Sequence, residues 1–502
     1  MKRCSLALWV VAVIGPGVLP FLPAAVASDR APVATSAHTH KPHRLIVLTD
    51  IGAEVDDSES MVRLLLYSDV IDIQGLIATT STWKRTSVSP ELIQRVISAY
   101  GKVHSNLATH DANYPAAVVL QTLVKRGRPE YGMIGVGSGK DSEGSDWIIH
   151  TLERSDQRPL WISVWGGANT LAQSLYKLRA TKSATELDRL ISKLRVYTIS
   201  DQDDSGVWIR KNFPKLFYIV TPGGDYGDAT WAGINTFVPG IDNSTISNKW
   251  LAEHIQQGHG PMGAEYPDVA YGMEGDTPSW LALIPNGLSD PEHPDWGGWG
   301  GRYELYRPEL RVADPKTFFG GVPNEQETRP IWTNAIDDYI PPVTGEYGRA
   351  THPGEKSFKD FKATIWRWRD DFQNDFVARM TWTTSSYQKS NHPPVPVLNH
   401  ADAITVHSGE EFELSAHATD PDGDSVSFFW FQYPEAGTYK GLVKVQYAEN
   451  MPKFGLVAPK VDNPETVHFI LKVTDKGSPP LSRYKRIIVT IMPVSSNGSA
   501  AP

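Results

Sequence analysis

The chain has 502 residues, with 48 Lys and Arg against 57 Asp and Glu, and a formal charge of −9. That acidic balance, without any compensating block of Lys or Arg, argues against a nucleic-acid partner held through its phosphates. The single cysteine, Cys4, lies at the very start of the chain. Disulfides are therefore excluded, and stability must come from core burial, for which this length is ample.

Residues 1–27 begin with Lys2 and Arg3, continue through an apolar stretch and end in Ala25-Val26-Ala27. This pattern predicts a secretory signal cleaved after Ala27, and hence a secreted or periplasmic protein. An uncleaved anchor is the alternative, but Pro16, Pro20 and Pro23 interrupt a run already short for a membrane span. No apolar residue precedes Cys4 in the manner of a lipidation site, and no later segment has the length and hydropathy of a transmembrane helix. Loss of Lys2 and Arg3 takes the formal charge from −9 to −11.

Residues 28–42 lack apolar periodicity and are expected to be a flexible leader. From His43 the pattern changes. RLIVLTD is an apolar run ending in an acid, SESMVRLLLYSD has helical spacing, and IDIQGLIATTS is a second buried strand. Helical and strand patterns then alternate: PELIQRVISAY, DWIIHTLERS, PLWISVWGG, NTLAQSLYKL, TELDRLISKL, RVYTISDQDDSG, VWIRKNF and KLFYIVTPGGDYGDATW. They predict an α/β domain over residues 43–388, a mainly parallel sheet with flanking helices. Ligands of such sheets bind beyond the carboxyl ends of the strands, where Asp50, Asn169, Asp201 and Gly223 fall. Residues 240–385 are irregular and rich in Gly, Pro and Trp.

Pro393, Pro394 and Pro396 mark an extended linker. Beyond it, residues 389–494 show period-two alternation with turn chemistry and predict a small all-β immunoglobulin-like sandwich. DPDGDSVSFFW and LKVTDKGSPPLSRYKRIIVTI resemble segments of cadherin-like and polycystic-kidney-disease-type modules. Residues 495–502 are expected to be a disordered tail.

The densest chemistry lies in LTDIGAEVDDSESMVRLLLYS. Asp50 ends a strand, and Asp56 and Asp57 open the next helix, where backbone N–H groups are unpaired. Three carboxylates on one loop repel one another unless a cation is present, and calcium, which takes hard oxygen ligands in flexible geometry, suits them. Helix capping by Asp56 or Asp57 explains the same spacing equally well. TISDQDDSG places Asp201, Asp203 and Asp204 at another strand end, either near the site or as a solvated turn. Trp296, Trp299 and Tyr303 in DWGGWGGRY suggest either a sugar-stacking platform or a hydrophobic lid. DPDGDS offers Asp420, Asp422 and Asp424 as a calcium loop or as plain turn chemistry. GVGSGKDSEGS lacks the spacing of a phosphate loop and has Asp141 where Ser or Thr is needed.

The Asp50–Asp57 stretch resembles the Asp-x-Asp-Pro-Gly-x-Asp-Asp fingerprint of the nucleoside hydrolases. It resembles especially the exported nucleoside-hydrolase-like proteins described as cellulose-binding, which pair that domain with a C-terminal sandwich. GLIATTS, WGGANTLAQSL and GMEGDTPSWL recur in the same order. The resemblance implies calcium ligation by Asp50, Asp57 and Asp276 with the backbone carbonyl of Ala168, beside Asn169, and a sugar hydroxyl at Asp56. It makes Asp50 the base for water attack on an oxocarbenium-like carbon. Thr82, Asn169, Asp201 and Glu274 are further candidates for substrate contact, Glu274 also as a general acid. The sequence departs from the family at four places. Ile51–Val55 make the loop two residues longer than the fingerprint, Leu48 replaces its first Asp, Gly275 stands where a leaving-group His often precedes the late Asp, and Thr82 takes the place of a ribose-contacting Asn. Three functions stay open: a calcium-dependent hydrolase of glycosyl or N-glycosyl bonds in a saccharide-containing ligand, a non-catalytic carbohydrate-binding protein, and a surface module with structural calcium.

Overall fold

β1 (His43–Thr49) opens the computed structural model, which describes residues 41–222, 226–309, 325–341, 356–443 and 450–494. The expected signal and most of the expected leader, Gly223 and the expected tail lie outside the described residues. From Arg44 on, every residue of β1 is buried, as a central parallel strand covered on both faces requires. Its side chains alternate. Leu45 and Val47 join the apolar cluster of α1 (Asp56–Leu65) and α2 (Pro90–His110), and Ile46 and Leu48 join that of α4 (Glu143–Glu153) and α5 (Asn169–Thr181).

Between those helices run β2 (Ile71–Ala78), α3 (Ala117–Leu123), β3 (Val124–Arg126) and β4 (Leu160–Val164). They are followed by α6 (Ala184–Ser192), β5 (Leu194–Ser200), α7 (Ser205–Asn212) and β6 (Phe217–Thr221). With β7 (Tyr303–Tyr306) and β8 (Ile331–Asn334) the strands form one sheet in the order β3-β2-β1-β4-β5-β6-β8-β7. Its pairs are parallel except β7 with β8. The chain winds outward from β1 through β2 to β3, then returns to place β4 on the other side of β1. That reversal opens a crevice between the carboxyl ends of β1 and β4. Leu48 pairs with Val164, so Asp50 and Gly166 stand level with each other just past the sheet.

The region expected to be irregular holds a fourteen-residue helix, Arg369–Trp382. Its polar residues Arg369, Asp371, Gln373, Asp375 and Arg379 are buried. Because it is covered all round, it lacks the one-sided apolar stripe that reveals a surface helix. Charge pairing makes this burial tolerable: Arg379 bonds Asp69 at 2.6 Å, and Asp375 accepts from Tyr67 and Arg483 at 2.7 Å each.

The predicted sandwich is present. One sheet joins Val395–Leu398, Glu411–Thr419 and Lys453–Val457, and the other joins Ala403–His407, Ser482–Met492, Glu465–Asp475 and Val426–Gln432. Polar bonds fix it to the α/β domain. Asp371 accepts from Lys472 at 2.6 Å, from Ser482 at 3.1 Å and from Tyr484. The proline linker starts as an anchored joint: buried His392 stacks on Tyr387 at 3.8 Å and bonds Asp422 and His110 at 2.9 Å each. Asp420 accepts the backbone N–H groups of Asp422 and Asp424, so the DPDGDS segment is held by turn chemistry. Trp299 and Tyr303 are buried, and Trp296 stacks on His293 at 4.0 Å against His468 of the sandwich. This aromatic group is a lid and interdomain contact. No helix among the described residues is long and apolar enough to cross a membrane.

Candidate carboxylate site at the sheet switch point

The loop after β1 turns sharply at Gly52, whose φ of +88° is a left-handed conformation suited to glycine. α1 starts at Asp56 with Val55 as its N-cap and no side-chain cap. Neither Asp56 nor Asp57 is the capping residue, so the capping alternative is set aside. Asp57 accepts the Thr49 hydroxyl, and Thr49 Oγ1 in turn accepts the Ile51 N–H at 3.0 Å, which fixes Asp57 against the end of β1.

Asp276 arrives from a loop locked underneath. Glu274 has a φ of 47° and is fully buried, and Arg63 of α1 binds it at 3.0 Å. Tyr266 and Thr277 donate to the same carboxylate at 2.7 and 2.9 Å. The Glu274 N–H donates to Glu59 at 2.8 Å. Burial pushes Glu59 up to about 9, so it stays protonated at neutral pH and Arg63 balances Glu274 alone.

Ligand oxygens of Asp56, Asp57 and Asp276 lie within 4.8 Å of one another, and no other trio of acidic, His or Cys side chains among the described residues comes as close. Asp57 and Asp276 are only 3% and 4% exposed, and Asp276 Oδ2 has no hydrogen-bond partner. Burial raises all three carboxyls, and neighbouring carboxylates add to it: Glu54 and Asp50 for Asp56, which reaches about 7, Asp50 and Asp56 for Asp57, and Asp56 and Asp57 for Asp276. An orphaned buried oxygen beside two more carboxylates, none of them ion-paired with a Lys or Arg among the described residues, is the donor set a hard divalent ion fits.

Asp50 borders this trio without belonging to it. Its Oδ1 stands so close to Gly166 that a Cβ there would come within 2.5 Å. Burial raises its carboxyl, against an opposing hydrogen bond from Ser81 and the nearby Lys84 ammonium. The expected ligand set of Asp50, Asp57 and Asp276 is thus gathered as Asp56, Asp57 and Asp276, with Asp50 adjacent. Aromatic rings flank them: Tyr226 packs edge-on to Trp231 at 5.6 Å, feels the charges of Asp50, Glu54 and Asp56, and accepts a bond from Trp83. A Cβ on Gly275 would meet Asp56 Oδ2 at 2.8 Å and Trp231 at 3.1 Å, so no side chain fits where a leaving-group His was sought.

The remaining expected residues are otherwise engaged. The Ala168 carbonyl accepts the Ala172 N–H at 2.9 Å, which spends one of its acceptor directions on the first turn of α5. Asn169 accepts from Thr79 at 2.7 Å and donates to Thr80 at 3.0 Å and to the Glu130 carbonyl at 2.8 Å, tying together the ends of β2 and β4. Thr82 accepts from Arg85 at 3.0 Å. Asp201 is neither a solvated turn nor open to the site: Arg210 grips both its oxygens at 2.8 Å. Glu274, held by Arg63, has its acceptors filled and supports the Asp276 loop, which corrects the expectation of a sugar contact or general acid.

Asp203, two residues beyond Asp201, is the acid the sequence reading passed over. Its Oδ1 takes the Ser205 N–H at 2.9 Å, but its buried Oδ2 has no partner and lies 2.3 Å from where a Cβ on Gly167 would be. Asp201 and Asp203 have equal claims in TISDQDDSG. The arginine that singles out Asp201 is nine residues on in α7, beyond any local motif.

Residues 44–303 match the family profile "Cellulose-binding Sde182, nucleoside hydrolase-like domain", and residues 411–491 match "Cellulose-binding protein Sde0182, C-terminal domain". Among solved structures the chain is similar to a nucleoside hydrolase-related hypothetical protein from Saccharophagus degradans associated with carbohydrate metabolism. The identity is 34%, covering 90% of this chain and 100% of that one, with a TM-score of 0.74. Effector protein XOO4466 matches at 10% identity over 58% of this chain and 87% of that one, TM-score 0.28. Type III effector XopQ, complexed with adenosine diphosphate ribose, matches at 13% over 49% and 81%, TM-score 0.25. Both are too distant to bear on the site. No functionally curated protein matches the chain. With one profile spanning more than half of its length and a full-length structural relative, the chain belongs to the Sde182 family of cellulose-binding, nucleoside hydrolase-like proteins.

Proposed function

We propose that this chain is an exported, calcium-dependent hydrolase that cleaves a glycosyl or N-glycosyl bond in a saccharide-containing ligand. The observation that carries this reading is the trio of half-buried Asp56 with buried Asp57 and Asp276, with its unpartnered Asp276 oxygen, beside Asp50 at the switch point of the sheet. Asp56, Asp57 and Asp276 would hold calcium, whose charge favours ionisation of a nearby water and of sugar hydroxyls. Asp50, its carboxyl raised by burial, accepts the proton of the attacking water. Asp56, the least enclosed of the trio, also meets a sugar hydroxyl, and Tyr226 and Trp231 shield the reacting carbon from bulk solvent.

A second reading, saccharide binding without turnover, is favoured by one specific observation. Gly275 leaves no room for a leaving-group acid, and Glu274, the adjacent carboxylate outside the oxygen trio, is locked by Arg63. The test is turnover of aryl glycosides, β-linked oligosaccharides and nucleosides by the purified protein, with calcium or with chelator. Calcium-dependent turnover abolished by Asp50→Asn supports the hydrolase. Calcium-dependent binding without turnover establishes the second reading, and turnover unchanged in Asp50→Asn removes Asp50 as the base.

A further inference from the structure

The Gly52–Val55 segment has an outer side as well as the side that turns toward the carboxylates. Against the outer side lies a groove of about 390 Å³, within the range of small-ligand sites. Gly52, Ala53, Glu54, Val55 and Ser58 form one wall, Leu92, Arg95 and Val96 of α2 the opposite one, and Glu265, Pro267, Ala270 and Tyr271 close the end. We propose that this groove is a saccharide subsite that seats the ring next to the one held at the carboxylates, so that the ligand is a chain of sugars and not a single glycoside. The inference rests on the saccharide reading above and extends it.

Three observations select a sugar. Tyr271 is 91% exposed at the groove's end, a ring that almost nothing in the protein covers. An unburied aromatic rim suits the apolar face of a pyranose, which presents C–H groups to a ring. Arg95 Nε and Glu265 Oε2 pair at 2.7 Å with the guanidinium still largely in solvent, so planar donors and acceptors sit side by side for vicinal hydroxyls. Leu92, Val96, Val55 and Pro267 supply apolar surface between them.

Charge excludes the obvious competitor. Arg95 is already neutralised by Glu265, and Glu54 adds a carboxylate, so a phosphate or other polyanion finds no net attraction. Continuity comes from the chain itself: Val55 and Ser58 line the groove immediately before Asp56 and immediately after Asp57. The groove wall and the carboxylate pair are therefore parts of one continuous turn of chain.

The experiment is calorimetric titration of calcium-loaded full-length protein with methyl glycosides and β-linked oligomers of two to about six sugars, for wild type, Tyr271→Ala and Arg95→Ala. Wild type is expected to bind at least tenfold tighter from monomer to tetramer. Each variant loses most of that gain, about tenfold on the tetramer, with monomer affinity and melting temperature unchanged. Equal length dependence in wild type and both variants overturns the subsite. So does monomer binding in wild type with no gain on lengthening, and the site reading then survives without it. No binding by wild type of any sugar at any length overturns the saccharide reading itself.

Discussion

Substituting Asp276→Asn separates a cation site from an ordinary buried acid. Two ionised oxygens within 4.8 Å repel by about 3 kcal/mol at an effective dielectric near 20. Asp276 faces two such neighbours, Asp56 and Asp57, with an unpartnered oxygen of its own. The asparagine removes that charge and offers N–H donors to the two remaining carboxylates. In chelator the variant should therefore be more stable than wild type, by about 1–3 kcal/mol after partial protonation of the wild-type cluster is allowed for. Calcium reverses the order. At a hundredfold excess over Kd it stabilises wild type by about 2.7 kcal/mol, roughly 3 °C of melting temperature for a chain of this size, and the variant by little. Differential scanning fluorimetry in calcium and in EGTA measures both arms. If wild type melts at the same temperature in both, or the variant loses stability equally in both, the trio is not a cation site.

Gly166→Ala places a Cβ 2.5 Å from Asp50 Oδ1; saccharide turnover should fall at least tenfold with calcium stabilisation retained, read by kinetics beside melting curves. Burial pushes Asp203 up to about 6, from an ordinary value near 3.8, so the folded state holds the proton more tightly than the unfolded chain. That contribution is complete below about pH 4 and is lost as pH rises through 6, about 3 kcal/mol in all. Asp203→Asn should accordingly be more stable than wild type at pH 7 and should flatten the pH–stability curve between 4 and 7; a variant less stable at pH 7 refutes the assignment. Arg63→Met leaves Glu274 buried without its cation and should cost about 3–5 kcal/mol in urea unfolding. Recovery of most of that loss in Arg63→Met/Glu274→Gln would show that pairing is the cause.

Much of the frame was legible because it depends on local pattern. β1, α1 and β2 follow directly from an apolar run, a helical stripe and a second apolar run, and the sandwich strands follow from period-two alternation. α3 and β3 were missed because Ala117–Arg126 is short and only partly apolar. The Arg369–Trp382 helix was missed for the opposite reason, since burial on every side erases the periodicity on which such a reading depends. In the site, residue types were legible and partners were not. Asp50, Asp56, Asp57 and Asp276 converge as their motifs suggested. What distinguishes a free acid from a spent one is a cation outside the local motif: Arg63 lies 211 residues from Glu274, and Arg210, nine residues on, captures Asp201 and leaves Asp203 Oδ2 without a partner.

The lengthened loop after β1 ties these observations together. In sequence, Ile51–Val55 looked like damage to a catalytic fingerprint. In the fold, Thr49 fixes Asp57 from the strand side, so the added length is taken up between Gly52 and Val55, where the left-handed turn at Gly52 carries the chain outward. Two consequences follow from that one displacement. α1 begins at Asp56, which turns into the oxygen trio while Asp50 stays beside Gly166. The displaced segment also becomes a wall of the Tyr271 groove. A loop shortened by deleting Ala53 and Glu54 should therefore lose chain-length-dependent sugar binding and still be stabilised by calcium, because Asp57 and Asp276 are anchored from Thr49 and Glu274 and not from the loop. Loss of both properties together in that deletion would show that the trio depends on the long loop, and the separation of metal site from groove would fall.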